Sequence, residues 1–145
     1  MICVKDILEG KGGKIYSISP SATVFEALQM MSEKEIGALV VMENSKVVGI
    51  MSERDYARKV ILLGKTSRET SVKEVMSTTL FSVKPEAKVE DVMVLMTGKH
   101  VRHLPVFEKD KFVGIISIGD VVKSIISDKN FLINQLSEYI AGKYY

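Results

Sequence analysis

The sequence predicts an α/β (α+β) fold in which one β-α-β-β-α unit occurs twice. The main observation is a repeat: residues 15–59 return at residues 80–124 without a gap, with 15 identities in 45 aligned positions. A shorter match relates residues 4–8 to residues 72–76 at an offset of 68. Because two units are too few for a solenoid, we expect two halves related by a pseudo-twofold axis. We expect them to pack sheet to sheet with the helices outside.

Each element of the first unit has its own sequence signal. Residues 15–19 alternate as a strand before Pro20, and apolar residues then recur at helical spacing from Val24 onwards. A buried strand, a polar turn, a second strand and a helix follow, in that order: 38–42, 43–46, 47–51 and 52–63. Gly64 is placed to end the helix.

The second unit repeats this order and sets the predicted boundaries. Its elements are helix 89–98, strand 103–107, turn 108–111, strand 112–116 and helix 118–127. We predict one unit at 1–66, a second at 67–127, and a C-terminal helix within 128–145. Because that last helix has an apolar stripe without a counterpart in the repeat, we expect it to pack on the module or on a dimer partner.

Composition argues against several classes of protein. Apolar residues make up 46% of the chain and charged residues 26%, with a net charge of +2, which is not the footprint of a nucleic-acid binder. No stretch is long enough to span a membrane, and residues 1–8 lack the apolar core of a signal peptide, so we expect a cytoplasmic protein. The single cysteine, Cys3, excludes an internal disulfide and a cysteine-based zinc site, and no metal is expected.

A Ser-x-x-Asp pattern stands at the start of each unit's last helix, as Ser52 with Asp55 and Ser117 with Asp120. One interpretation is purely structural: serine caps the helix, and aspartate favours the positive end of its dipole. The other is functional, because free N–H groups and a serine hydroxyl suit a phosphate, and an ionised carboxylate can accept hydrogen bonds from the two hydroxyls of a ribose. The pattern alone leaves both open.

With the residues before it, this pattern resembles a known family. Residues 49–55 read Gly-Ile-Met-Ser-Glu-Arg-Asp, and residues 114–120 read Gly-Ile-Ile-Ser-Ile-Gly-Asp. The motif and the element order resemble the cystathionine beta-synthase (CBS) domain, and a tandem pair of such domains is called a Bateman module. Residues 52–58 and 101–106 are also typical of stand-alone CBS-pair proteins.

The resemblance implies a ligand and a role. CBS pairs bind AMP, ADP, ATP, and sometimes NAD or S-adenosylmethionine, in clefts between the two repeats. They usually form dimers and act as regulatory sensors rather than as catalysts. For this chain it implies a homodimer that binds an adenine nucleotide, AMP foremost, and acts on an unidentified protein partner.

Together with the pseudo-symmetry, the resemblance predicts two crossed sites. The first site is predicted to contain Asp120 for ribose and, for phosphate and base, Ser117, Gly119, Arg102, His103, Tyr16, Ile36, Gly37 and Ala38. The second is predicted to contain Asp55 for ribose and, for phosphate and base, Ser52, Arg54, Phe81 and Val101. Simpler roles stay open: Arg102 as a solvated charge, His103 as a core histidine, and both aromatic residues as core side chains.

Three other functions are compatible with such a fold. A nucleic-acid binder would need a local basic face on a nearly neutral chain. A purely structural dimerisation module would need no ligand at all. An NAD-dependent enzyme would need an acid and a base near a nucleophile, and the sequence has neither that grouping nor a Gly-x-Gly-x-x-Gly or Walker motif.

Overall fold

The computed structural model describes residues 2–142, except for the side chains of residues 130 and 131. The first part of the chain forms α1 (Val4–Gly10), β1 (Ser17–Ile18), α2 (Val24–Lys34), β2 (Ala38–Glu43), β3 (Lys46–Ser52) and α3 (Glu53–Lys59). The second part forms α4 (Val72–Val75), α5 (Val89–Lys99), β4 (His103–Glu108), β5 (Lys111–Ser117) and α6 (Ile118–Ile140). The predicted mixed fold with a repeated order of elements is confirmed.

The two hairpins have the same register. β2 pairs antiparallel with β3 from Ala38 opposite Ser52, and β4 pairs with β5 from His103 opposite Ser117. Each pairing shifts its register once, at equivalent positions of the two repeats. β1 adds a parallel third strand beside β2, and the equivalent position in the second repeat shows a parallel bridge at Val83. The repeat of the sequence is therefore also a repeat of backbone pairing.

Left-handed backbone occurs at matching positions in the two repeats. α2 ends at Glu35 with φ of 54°, and α5 ends at its repeat mate His100 with φ of 55°. The hairpin turns match in the same way, with φ of 52° at Asn44 and 57° at Lys109. Such angles are uncommon outside glycine, so these matches indicate that one backbone design is used twice.

The structure forms two compact units whose limits differ from the predicted boundaries. One is the continuous unit, Lys14–Phe81, and the other is the discontinuous unit, Met1–Gly13 with Ser82–Tyr145. The helix before each repeat thus packs with the other repeat: α1 belongs to the second repeat and α4 to the first. The sequence boundaries 1–66 and 67–127 follow chain order, and chain order does not reveal this exchange.

Two glycines allow the exchanged helices to approach the hairpins. A Cβ atom on Gly114 would lie 2.7 Å from Cδ2 of Leu8, which lies in α1. A Cβ atom on Gly49 would lie 2.7 Å from Sδ of Met76 and 2.9 Å from the carbonyl oxygen of Ser77. Protein atoms therefore already fill the space on the Cβ side of each strand at these glycines.

The helix that carries Asp120 continues well beyond the repeat. The sequence suggests a helix at 118–127 and a separate C-terminal helix, but the structure has one helix of 23 residues. Residues 127–130 contain no proline or glycine that would interrupt it. Its distal apolar side chains are exposed: Leu132, Ile133, Leu136, Tyr139 and Ile140. The side chain of residue 131 and residues 143–145, which belong to the predicted C-terminal segment, lie outside the described part.

The first repeat also departs from the sequence prediction at its last helix. α3 ends at Lys59, and a short 3-10 turn over Ile61–Leu63 follows, closed at Gly64 with φ of 74°. Val60, between the two, is fully buried. Among residues 2–142, no helix has both the length and the apolar character needed to cross a membrane.

Candidate functional site

The Ser-x-x-Asp patterns form the same hydrogen-bonded box at both strand-to-helix junctions. Ser117 has extended backbone at the N-cap of α6, and its hydroxyl oxygen accepts the N–H of Asp120 at 3.1 Å. The Asp120 carboxylate accepts the N–H of Ser117 at 2.9 Å in return. Ser52 and Asp55 repeat this at α3, with distances of 3.2 Å and 2.9 Å. The capping hydrogen bonds that the structural interpretation requires are thus present in both repeats. They hold both carboxylates beside a helix N-terminus.

The Asp120 carboxylate is held in its ionised form. Burial raises the pKa of Asp120, but the hydrogen bond from Lys11, the backbone N–H of Ser117 and the positive charge of Lys11 together lower the pKa below its ordinary value. An ionised carboxylate only accepts hydrogen bonds. Asp120 is therefore suited to bind a group that presents hydroxyl donors.

Each carboxylate also has a lysine partner that sequence analysis did not identify. Lys11 Nζ lies 2.9 Å from Asp120 Oδ2, and Lys59 Nζ lies 3.2 Å from Asp55 Oδ1. The two lysines are not repeat mates: one follows α1, and the other lies four residues beyond its aspartate in α3. The i,i+4 spacing of the second pair could have been recognised in the sequence. The first pair joins residues 109 apart and leaves no such signal.

Arg102 and His103 lie beside the box of Ser117 and Asp120. The N–H of Ile118, the first residue of α6, donates to the carbonyl oxygen of Arg102 at 2.8 Å. His103 is the strand partner opposite Ser117. The side chain of Arg102 is exposed, so a cation lies next to the helix N-terminus, where an anion would be favoured.

The same positions in the first repeat carry no cation. The N–H of Glu53 donates to the carbonyl oxygen of Gly37 at 3.0 Å, and Ala38 lies opposite Ser52. The structure thus places Gly37 and Ala38 at the Asp55 junction through their backbone. Their role as base contacts of the Asp120 site stays a prediction.

The two repeats also differ in charge in the first turn of the last helix. Arg54, the second residue of α3, is exposed, and its repeat mate in α6 is Gly119. A Cβ atom on Gly119 would meet Ser117 Oγ at 3.6 Å, an ordinary contact. Each junction therefore has one arginine, on the strand side in the discontinuous unit and on the helix side in the continuous unit.

The four larger side chains among the predicted base contacts are all partly buried. Tyr16 and Ile36 pack against the apolar core of the continuous unit, and Lys34 Nζ lies 5.3 Å from the centre of the Tyr16 ring. Phe81 and Val101 are of intermediate exposure. For Tyr16, the packing fits the simpler role of a core aromatic, and contact of any of the four with a base stays a prediction.

Within residues 2–142, no group of three or more histidine, cysteine, aspartate or glutamate side chains is arranged to hold a metal ion. The hydrogen-bonding groups of the two junctions are instead hydroxyl and N–H donors, carboxylate acceptors and flexible cations. That set of groups fits an organic anion with hydroxyl groups better than a bare cation.

Comparison with known proteins agrees with the repeat. The family model of the CBS domain matches residues 2–61 and 72–127. The chain is similar to the mitochondrial CBS domain-containing protein CBSX3 of Arabidopsis thaliana, with 36% identity over 97% of this chain and 73% of that protein. It is also similar to the CBS domain-containing protein YhcV of Bacillus subtilis, with 32% identity over 98% of this chain and 91% of that protein.

Solved structures give the same result for the fold. A CBS-domain protein from Burkholderia ambifaria has a TM-score of 0.84 and 42% identity, over 88% of this chain and 96% of its own. A CBS-domain protein from Agrobacterium tumefaciens has a TM-score of 0.80 and 36% identity, over 85% and 98%. Both alignments cover nearly the whole of the matched chain.

Proposed function

The chain belongs to the CBS-domain family as a tandem pair of CBS domains, and on that premise we propose that it is a regulatory module that binds an adenine nucleotide. AMP is the foremost candidate, followed by NAD, ADP, ATP and S-adenosylmethionine. The observation that carries this proposal is the junction at α6. There, an ionised, partly buried Asp120, a capping Ser117 and an exposed Arg102 surround one helix N-terminus.

Each group at this junction has a complementary part of the nucleotide. The carboxylate of Asp120 accepts hydrogen bonds from the two neighbouring ribose hydroxyls. The hydroxyl of Ser117, the N–H groups at the start of α6 and the guanidinium of Arg102 bind the phosphate. His103 becomes a second donor when a bound phosphate favours its charged form. Asp55 and Ser52, with Arg54, form the corresponding set at α3.

The base contacts predicted from the sequence are part of the same proposal. They are Tyr16, Ile36, Gly37 and Ala38 for the nucleotide on Asp120, and Phe81 and Val101 for the nucleotide on Asp55. Apolar and small side chains suit a flat adenine ring, which gains most of its affinity from burial of its faces. Chemical-shift changes at Ile36 and Val101 on addition of adenosine would test these contacts.

A precedent for an adenosine-containing ligand exists within the fold. The CBS domain pair of MJ0100 was solved in complex with 5′-methylthioadenosine and S-adenosylmethionine, and it resembles this chain with a TM-score of 0.76 at 23% identity. That likeness concerns the fold alone. It supports the proposal only in that a backbone of this kind can accommodate an adenosine group.

We place this module in the cytoplasm as a homodimer whose helices form the interface. The support for the homodimer is the exposed apolar surface of α6, where Leu136 and Ile140 are 60% and 76% exposed. Assembly is known within the family, since a CBS-CP12 protein with 30% identity to this chain is hexameric. Sedimentation at micromolar concentration should give a species of twice 16.1 kDa, and a monomer would contradict the homodimer.

The proposed regulation needs a protein partner and no reaction at the site. Hydrolysis or redox turnover of ATP or NAD by the purified chain would contradict this part of the proposal. A ligand-free dimerisation module is the alternative, and it predicts that no adenine nucleotide changes stability.

A thermal-shift screen tests the function directly. AMP, ADP, ATP, NAD, NADH and S-adenosylmethionine would each be added to the purified chain, with GMP as a control for the base. A ligand present at a hundred times its dissociation constant adds about 2.7 kcal/mol to the free energy of unfolding. Stabilisation by AMP and not by GMP is expected, and the absence of any adenine-specific shift would contradict the proposal.

A further inference from the structure

Lys11 connects the end of α1 to the junction at α6. It is the residue at which α1 ends, and its ammonium donates to the carbonyl oxygen of Ile115 and to Asp120 Oδ2, both at 2.9 Å. The side chain of Lys11 is 36% exposed and that of Asp120 is 23% exposed. A cation from outside the repeat thus occupies the carboxylate that the proposed function assigns to ribose.

The continuous unit shows why Lys11 takes this position. Ile50, the repeat mate of Ile115, exchanges two backbone hydrogen bonds with Ser77 at 3.0 Å and 2.8 Å. This pairing forms because α4 ends after four residues and the chain turns extended at Met76. α1 instead continues for seven residues, and the Lys11 ammonium binds the carbonyl oxygen of Ile115. In the discontinuous unit, therefore, the Lys11 side chain binds the strand carbonyl that backbone pairing with Ser77 satisfies in the continuous unit.

Ribose and Lys11 require the same acceptor atom. Asp120 Oδ2 already accepts the N–H of Ser117 and the ammonium of Lys11. Two adjacent ribose hydroxyls are bound best when each reaches one carboxylate oxygen, so the second hydroxyl competes with Lys11 for Oδ2. The ammonium then also loses its anionic partner beside the Ile115 carbonyl.

We propose that Lys11 is a displaceable internal cation that occupies Asp120 until a ribose-containing ligand replaces it. This inference rests on the proposed function and goes beyond it, since it links occupancy of the site to the end of α1. Release of Lys11 frees residues 10–13, where Gly12 and Gly13 have φ of 79° and 70°. Through these residues the chain continues into the continuous unit.

Competition with Lys11 reduces the affinity of the site for its ligand. The site binds with its full affinity only in the fraction of molecules in which Asp120 is available. A partly exposed ion pair of this kind is expected to shift that fraction modestly. Removal of the Lys11 charge should therefore tighten binding of adenosine about two- to fivefold.

The test compares the parent with Lys11→Met, which keeps most of the aliphatic side chain, and with Lys5→Met as a control. Lys5 is an exposed lysine of α1, so its replacement makes the same change in net charge away from Asp120. Adenosine is the main ligand because it has ribose without phosphate, and AMP is titrated in parallel. Calorimetry should show tighter adenosine binding by Lys11→Met and unchanged binding by Lys5→Met.

Hydrogen exchange gives a second measurement on the same proteins. Ligand should accelerate amide exchange at residues 11–13 in the parent, whereas Lys11→Met should exchange fast there with or without ligand. If the parent binds and Lys11→Met binds equally or more weakly, the competition is wrong and the proposed function survives. If neither protein binds adenosine or AMP, both are wrong. Binding by Lys11→Met alone would support the competition most strongly.

Discussion

The two strand-to-helix junctions each hold an aspartate carboxylate in the same position, and they differ in the cations around that carboxylate. Ser117 with Asp120 and Ser52 with Asp55 form nearly identical boxes. In the continuous unit the paired lysine, Lys59, lies in the same helix as its aspartate and also donates to the carbonyl oxygen of Val75 in α4 at 2.9 Å, whereas Lys11 follows α1. Both junctions therefore keep the carboxylate and are tied to the exchanged helix of their unit by a lysine, but that lysine comes from different elements.

The same comparison predicts a difference in electrostatics. The first residue of α3 is the exposed Glu53, whereas the first residue of α6 is the apolar Ile118. A negative charge at that position opposes a phosphate, and the arginine of this junction lies on the helix rather than on the strand. We therefore expect the Asp120 junction to bind AMP more tightly than the Asp55 junction.

The largest expected effect distinguishes the two helix-to-hairpin contacts. Gly49→Ala should lower the free energy of unfolding by about 2–3 kcal/mol, because its Cβ would displace the backbone carbonyl of Ser77. Gly114→Ala should lower it by about 1 kcal/mol, since the conflicting atom is the end of the flexible Leu8 side chain. Urea denaturation measures both, and equal losses would show that the two contacts are equivalent.

The next effect concerns the ribose acceptor. Asp120→Asn keeps an oxygen that can cap α6 but removes the charge, and it should weaken AMP binding by roughly ten- to a hundredfold, from about 1.5–3 kcal/mol of charge-assisted hydrogen bonding. Asp91→Asn, an exposed aspartate in the first turn of α5, is the control. Calorimetry with unchanged AMP affinity for Asp120→Asn would leave the box with its structural role alone.

A smaller effect is expected from the strand-side cation. Arg102→Ala should weaken AMP binding at the tighter site about three- to tenfold and leave adenosine binding unchanged, since the proposed contact of the guanidinium is with the phosphate alone. Arg58→Ala, an exposed arginine in the last turn of α3, serves as the control. An equal loss for adenosine and AMP would indicate that Arg102 supports the fold rather than the phosphate.

The smallest effect is the pH dependence of the Lys11 and Asp120 pair. The pKa of Asp120 lies below its ordinary value of 3.8, so its stabilising contribution is present above that value and is lost as pH falls through the lowered pKa. Lys11→Met should therefore be less stable than the parent by under about 1 kcal/mol at pH 7, and the gap should close in strong acid. A gap that does not change with pH would exclude this ion pair as its cause.

Local signals in the sequence were sufficient for most of the backbone. The apolar run at 38–42 became β2, the polar turn at 43–46 closed the hairpin, and Gly64 ended the first repeat's last helical segment. These features depend only on residues near one another in the sequence, because they follow from the spacing of apolar side chains and from turn-forming residues. The start of each last helix at its serine was predicted for the same reason.

Contacts between distant parts of the chain could not be predicted in this way. The packing of Leu8 on Gly114, and of Met76 on Gly49, depends on which repeat each preceding helix joins. The pair of Lys11 with Asp120 follows from that exchange and from the greater length of α1. Periodicity describes a face of one helix, and it does not identify the surface that covers that face.

Titration of the parent with AMP by calorimetry tests whether the two junctions bind nucleotide with different affinities. We expect two classes of site, with the tighter class lost in Asp120→Asn and the weaker class lost in Asp55→Asn. Two classes would follow from the different cations around two otherwise matching acceptors. No heat of binding, or a single class of equivalent sites that both variants weaken alike, would contradict this expectation.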